Sequence, residues 1–401
     1  MRLRYKAITR DNKIIRGLVD AKDINEAASY LRNKNLVPIT IAQTAKNDIF
    51  KNLPFLGKIK KSDLVVFTRQ LSSMLSSGLT LIRSLEILKE QFTNEAMLEI
   101  VISTITDIEE GRPFSSAISK FPDVFSPIYV SIIKSSESSG LLDRALLRLA
   151  DNLEKQEKLK STIKAALTYP AIVVSLMAVV VFIMMTTVIP QLANLYKGLN
   201  VELPLPTKII ISISGFFVVF WPLIIGLFFL SIFLYRRWYK TEAGRLIIDN
   251  LTLKIPVFGN LIKKVILTEL SRTLSVLVGS GSLVVDSLIQ TSETLGNIHY
   301  KNALRDVAKK VENGVAIGDA MSSYALFPSL LVQLVKIGEQ TGKLDETLLK
   351  ASEYFEGETE QLVKTLTTAL EPFIMITLGV GVAFLMISVI TPIYGLISSI
   401  K

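Results

Sequence analysis

Three stretches of this 401-residue chain carry no charge at all: Ala171 to Ile189, Ile209 to Tyr235 and Pro372 to Ile400. A hydrocarbon layer of about 30 Å is crossed by about 20 apolar residues in a helix, so each stretch is long enough to span it. Peptide groups inside lipid must bond to one another, which makes all three runs helices. A soluble protein can bury a short apolar helix, but three runs above about 18 residues form a membrane pattern. The hydrophobic share, 49%, is ordinary; its segregation along the chain decides the class.

The placement of Lys and Arg orients the spans. Residues 1–170 carry 26 of the 45, residues 236–371 carry 16, and the loop 190–208 carries 2; Lys401 is the last. Lys155, Lys158, Lys160 and Lys164 precede the first span, and Arg236, Arg237 and Lys240 follow the second. The N-terminal and middle regions are therefore expected in the cytoplasm, with the short loop and the C-terminus outside. The opening residues hold no apolar stretch of signal-peptide length, so export of this part by that route is not expected. The net charge of +9 reads as a cytoplasmic surface facing anionic lipid, and no nucleic-acid binding is expected.

Ahead of the spans, residues 1–45 alternate apolar and polar positions around a helical stretch near Asp23 to Asn33, which predicts a small ββαβ unit. A linker over 46–61, with Asn52, Pro54 and Gly57, follows. The spacing then predicts a helical bundle over 62–168, with Ser62 and Thr80 as N-caps and Gly78 as a stop. Spans are expected at 169–189, 209–235 and 372–400, an exterior loop at 190–208, and a second bundle at 236–371.

The two bundles are copies. Arg69 and Leu71 recur as Arg272 and Leu274, an offset of 203 residues. At that offset Gly78 matches Gly281, Gly111 matches Gly314 and Ala117 matches Ala320; Phe121-Pro122 recurs as Phe327-Pro328 after a small insertion. At an offset of 202, Glu137 to Asp143 aligns with Glu339 to Asp345, Pro170 with Pro372 and Pro190 with Pro392. The repeated unit is a helical bundle followed by one span. The fold class is thus an all-α membrane protein: two repeated six-helix cytoplasmic bundles, three transmembrane helices and a small α+β unit in front.

The sharpest motif is Glu-x-x-Gly-x-Leu-Asp. Gly140 and Gly342 can take the left-handed conformation that ends a helix, and Asp143 and Asp345 can cap the next one. A helix–turn–helix corner explains those residues but does not call for Glu137 or Glu339, which makes the two glutamates candidates for contact with another protein. Pro170 and Pro372 stand where each bundle enters the membrane and are read as kinks. Glu371, beside the second of them, is an acid next to the costly low-dielectric zone. Arg69 and Arg272, in the first helix of each bundle, read as members of structural ion pairs or as contact residues. The single histidine, His299, reads as a surface residue.

Signatures of catalysis are missing. Thr341-Gly342-Lys343 is followed by Leu344, so no phosphate-cradling loop forms, and neither a His-Glu-x-x-His pair nor a Gly-x-Ser-x-Gly elbow occurs. The chain has no cysteine, hence no disulfide and no thiolate site. No enzyme, cofactor or metal centre is expected. A transporter or permease subunit is the alternative; it would line its spans with polar residues, which are scarce here.

Taken together these residues resemble the family of type II secretion system protein F and type IV pilus assembly protein PilC. The likeness runs through Tyr5-Lys6-Ala7, Phe67-Thr68-Arg69-Gln70-Leu71, Tyr169-Pro170, Val188-Ile189-Pro190, Leu203-Pro204, Gly338-Glu339 and Glu371-Pro372. One departure is Ser136, where the family usually has Gly before Glu. The resemblance implies an inner-membrane platform for machines that build pilin-like filaments. Its implied partners are a hexameric assembly ATPase, pilin or pseudopilin subunits, other inner-membrane assembly proteins, the bilayer and further copies of itself.

Overall fold

The computed structural model describes residues 2–8, 14–21, 23–34, 36–43, 59–191, 194, 205–256 and 258–399. At the N-terminus, β1 (Arg2–Ile8) pairs antiparallel with both β2 (Ile14–Asp20) and β3 (Val37–Gln43), giving the order β2-β1-β3. Helix α1 (Ile24–Asn33) buries Ala27 and Leu31. Asp23 caps it, its carboxylate accepting from the Glu26 amide at 2.7 Å, which satisfies one of the free N–H groups at the helix start.

The first duplicated segment supplies α2 (Lys61–Ser76), α3 (Leu81–Gln91), α4 (Glu95–Glu109), α5 (Phe114–Ile118), α6 (Pro127–Ser139) and α7 (Leu142–Ile183). Thr80 caps α3 as its sequence predicts. Ser62 does not cap α2: the helix begins at Lys61, and Asp63 reaches back to the Lys60 amide at 3.1 Å. A carboxylate makes the stronger, charge-assisted cap, so the aspartate takes the task. The core of this segment is aromatic, with Phe67, Phe125 and Tyr129 packed ring to ring at 5.2–6.3 Å together with Phe92. Tyr129 and Thr68 share a hydrogen bond of 3.1 Å, and burial pushes the Tyr129 phenol above its ordinary value.

The second segment begins with the long α8 (Leu205–Tyr239), then α9 (Glu242–Lys254), α10 (Phe258–Gly279), α11 (Val284–Thr294), α12 (Ile298–Glu312), α13 (Ile317–Ser322), α14 (Ser329–Thr341) and α15 (Leu344–Ser399). Leu270, Leu274, Leu288, Leu304, Met321, Leu331, Leu348 and Phe355 form one continuous core.

Among the described residues three helices are long and apolar enough to cross a membrane: Leu142–Gln191, Val219–Tyr239 and Leu344–Ala383. Only 11%, 0% and 6% of their apolar windows is covered by protein, so they are not core helices of this chain, and lipid suits that apolar surface where water does not. Residues 169–183 and 372–399 of the expected spans are the distal parts of α7 and α15, not separate pieces. Helix α7 runs through Pro170 without a break, and α15 runs through Pro372; proline removes one backbone donor, and the remaining ladder carries the helix past it. Two compact units are distinguished, Met1–Ala150 and Asp151–Lys401, so the division falls inside α7.

Near the end of the first span, Met184–Val188 form a π-helical turn. The Ser214 hydroxyl of α8 donates to the Met185 carbonyl there, within a small cluster of Met185, Ile189, Val181, Ile211 and Phe217. A carbonyl released from the α ladder thus finds a partner where lipid offers none.

Candidate partner-contact residues

The duplication is visible in the backbone. Gly78 and Gly281 have φ of 84° and 83°, Gly111 and Gly314 of 84° and 86°, and Gly140 and Gly342 of 71° and 68°. A left-handed residue costs a side chain roughly 1–2 kcal/mol, so glycine marks the same three turns in both copies.

At the corner, Gly140 ends α6 and Gly342 ends α14. The next helices start at Leu142 and Leu344, so Asp143 and Asp345 stand in the first turn and not at the N-cap. A carboxylate there still favours the positive end of the helix.

The glutamates have a structural task that spacing did not reveal. Glu137 accepts from the Phe114 amide at 2.6 Å, the Ser115 amide at 3.1 Å and the Ser115 hydroxyl at 2.7 Å. It therefore caps α5, whose own preceding residue, Pro113, offers no side-chain cap. In the second copy Glu339 accepts from the Ile317 amide at 2.9 Å and the Gly318 amide at 3.3 Å, capping α13. One acid in the corner thus fastens a short helix from the preceding loop, where four orphan N–H groups need acceptors.

The departure at Ser136 has a packing explanation. Its second-copy equivalent is Gly338, where an added Cβ would lie 2.1 Å from Thr347 Oγ1 and 2.9 Å from Leu344 Cα. The first copy carries Ala145 at the place of Thr347, which leaves room for a larger residue at 136. Gly338→Ser is expected to destabilise the chain by about 1–3 kcal/mol through overpacking. Adding Thr347→Ala should recover part of that loss; thermal unfolding of the three variants checks it, and equal stability of the single and double variants would refute it.

Arg272 is buried on α10 and donates to Glu356 of α15 at 2.7 Å. Burial pulls its guanidinium below the ordinary value, while Glu356, Glu269 and Glu353 hold it charged. Its first-copy equivalent, Arg69, is half-buried on α2. Around Arg272 lies a charged layer that the sequence reading missed. Lys155 of α7 meets Glu353 of α15 at 2.9 Å, and Lys158 meets Glu360 at 3.7 Å. Gln156 donates to Glu269 at 3.0 Å, and Lys264 meets Glu358 at 3.0 Å. Lys158 and Glu360 occupy the same place in the repeat, 202 residues apart. Comparing the copies for charge as well as identity would have exposed them: the first has Lys155, Lys158 and Lys160 in this stretch, the second Glu353, Glu356, Glu358 and Glu360.

Glu371 is exposed on α15. His299 is half-buried, its Nε2 3.1 Å from the Leu246 carbonyl. Among the described residues no group of three His, Asp or Glu side chains is placed to hold a metal ion.

The family "Type II secretion system (T2SS), protein F" matches residues 67–190 and again 270–392, and the family's N-terminal domain matches residues 4–42. The chain is 36% identical over 400 residues to type IV pilus assembly protein PilC of Thermus thermophilus, covering 99% of this chain and 98% of that one. It is 34% identical to type IV pilus assembly protein TapC of Aeromonas hydrophila, covering 98% and 95%. It is 29% identical to type II secretion system protein F of Xanthomonas campestris, covering 99% of each. The two family matches coincide with the two copies whose glycines turn at matched angles, and the chain belongs to the type II secretion system protein F family.

Proposed function

We propose that this chain is the inner-membrane platform of a type IV filament machine, serving type IV pilus assembly or type II secretion. The observation that carries the reading is the duplicated family segment, each copy running by one unbroken helix into a candidate span. In this reading each copy is a six-helix bundle in the cytoplasm, the ββαβ unit is on the same side of the membrane, and the C-terminus is outside. A hexameric ATPase docks on the bundles, and the platform passes its movement to pilin-like subunits in the bilayer. Helices α7 and α15 suit that role because each extends from a bundle into the bilayer. Glu137 and Glu339 are occupied as caps, so docking through them would compete with their own folds. Glu371, exposed where α15 enters the membrane, is the more accessible contact candidate.

Deleting the gene should abolish surface filaments or secretion, and the wild-type gene should restore them; normal assembly in the deletion strain would overturn the reading. Orientation is tested separately. Reporter fusions at Lys401 and after Lys197 should both signal the exterior, on the Lys and Arg asymmetry, and a cytoplasmic signal at either site would reject this topology.

A further inference from the structure

Helix α9 stands outside both matched segments. It lies between the two family matches, which end at residue 190 and resume at 270. It begins three residues after α8 ends, and the turn between them is tight: a Cβ on Gly244 would lie 2.1 Å from the Trp238 carbonyl. Three residues reach at most about 10 Å, so the start of α9 stays close to the end of α8. Thr241 fixes the turn by capping α9, accepting from the Gly244 amide at 3.1 Å.

The inner face of α9 is locked to the second bundle. Asp249 accepts from the Ile298 amide at 2.8 Å, and Arg245 donates to the Gly296 carbonyl at 2.8 Å. Gly244, Ile248 and Leu253 are buried. The outer face is uncovered and largely apolar, with Leu246, Ile247 and Leu251 exposed beside Asn250 and Lys254, and Ile255 and Phe258 continuing beyond the helix. Leu251 is 61% exposed, far more than a satisfied core leucine. Cations frame the patch: Arg236, Arg237 and Lys240 before it and Lys254 at its end are all exposed. An apolar face flanked by Arg and Lys, beside a span, has the chemistry of a helix lying in the bilayer interface, where the cations meet anionic headgroups.

We propose that α9 is a membrane-surface helix, seating the second bundle on the bilayer through Ile247, Leu251 and Phe258. The proposal rests on α8 crossing the bilayer.

The cysteine-free chain allows single labels. Ile247→Cys, Leu251→Cys, Leu227→Cys in α8 and Asp306→Cys on α12 would each carry a nitroxide in the full chain, reconstituted in phosphatidylethanolamine–phosphatidylglycerol vesicles. Accessibility to oxygen against an aqueous nickel chelate reads depth. The labels at 247 and 251 should be oxygen-dominated, about 5–10 Å into the interface, and the label at 306 nickel-dominated. If position 227 is lipid-exposed but 251 matches 306, this proposal fails while the span stands. If 227 is also aqueous, the membrane reading of α8 fails. Shielding of 251 from both reagents would assign the face to a protein, such as a second copy, and equally overturn the proposal. Where a label disturbs folding, Leu251→Trp with Trp221→Phe and Trp238→Phe gives the same readout through quenching by brominated lipid, and no quenching there is again a refutation.

Discussion

Truncating Arg272 to alanine is expected to destabilise the second bundle by about 3–5 kcal/mol, the range for removing one partner of a buried ion pair. The guanidinium is 4% exposed and its partner Glu356 13%, so little water is at hand to replace the lost contact. The loss arises mainly from a carboxylate left without its cation, not from the absent attraction. That distinction can be measured. Arg272→Met combined with Glu356→Leu removes both charges and keeps apolar volume, and should be far milder than either truncation alone. Thermal or denaturant unfolding of the four proteins in detergent closes the cycle. If the double variant is as unstable as the sum of the singles, the pair is not acting as a coupled unit.

Glu137→Ala is expected to cost about 2–3 kcal/mol, because hydrogen bonds to a charged acceptor contribute about 1.5–3 kcal/mol and two backbone amides lose theirs together. Glu339→Ala should cost less, about 1 kcal/mol, in the usual range for losing a cap. Its carboxylate is exposed and makes two bonds where Glu137 makes three. Glu137→Gln keeps an acceptor and should fall between wild type and alanine. The specific readout is hydrogen exchange at the Phe114 and Ser115 amides, which should quicken in Glu137→Ala ahead of the rest of the bundle. Unchanged exchange there, with weaker binding to an assembly partner, would return Glu137 to the role of a docking residue.

These two effects mark the boundary of what the sequence discloses. The spans are legible because apolar runs are local and long, and the duplication because matched residues keep their order over some two hundred positions. Glycines at 78, 111 and 140 are legible because a left-handed turn has a strong residue preference. The task of Glu137 is not, since its acceptor oxygens serve amides 22 and 23 residues upstream and only the folded loop brings them near. The Arg272–Glu356 pair and the Lys155–Glu353 pair likewise join residues with no spacing rule between them. The expected domain boundary at 168 came from a change in composition. Backbone hydrogen bonds do not register that change, so α7 passes through it. Ser62 is the cap that position alone suggests, whereas Asp63 reaches both the Lys60 amide and, at 2.8 Å, the Asn94 side chain.

The unbroken course of α15 fixes a phase. The helix has 56 residues, about 84 Å of rod at 1.5 Å per residue, and its lower turns are keyed to the bundle by Arg272 and Ser275. Each residue of an α-helix advances about 100° around the axis. The azimuth at which the third span presents its side chains is therefore set by the count of residues between Glu356 and the membrane, as the teeth of a key are set by its shank. One residue inserted between Val363 and Glu371 would swing the whole intramembrane face by about 100° and raise it about 1.5 Å, leaving the Arg272 and Ser275 contacts and the buried Val363 in place; four would return it to within about 40° of the original angle.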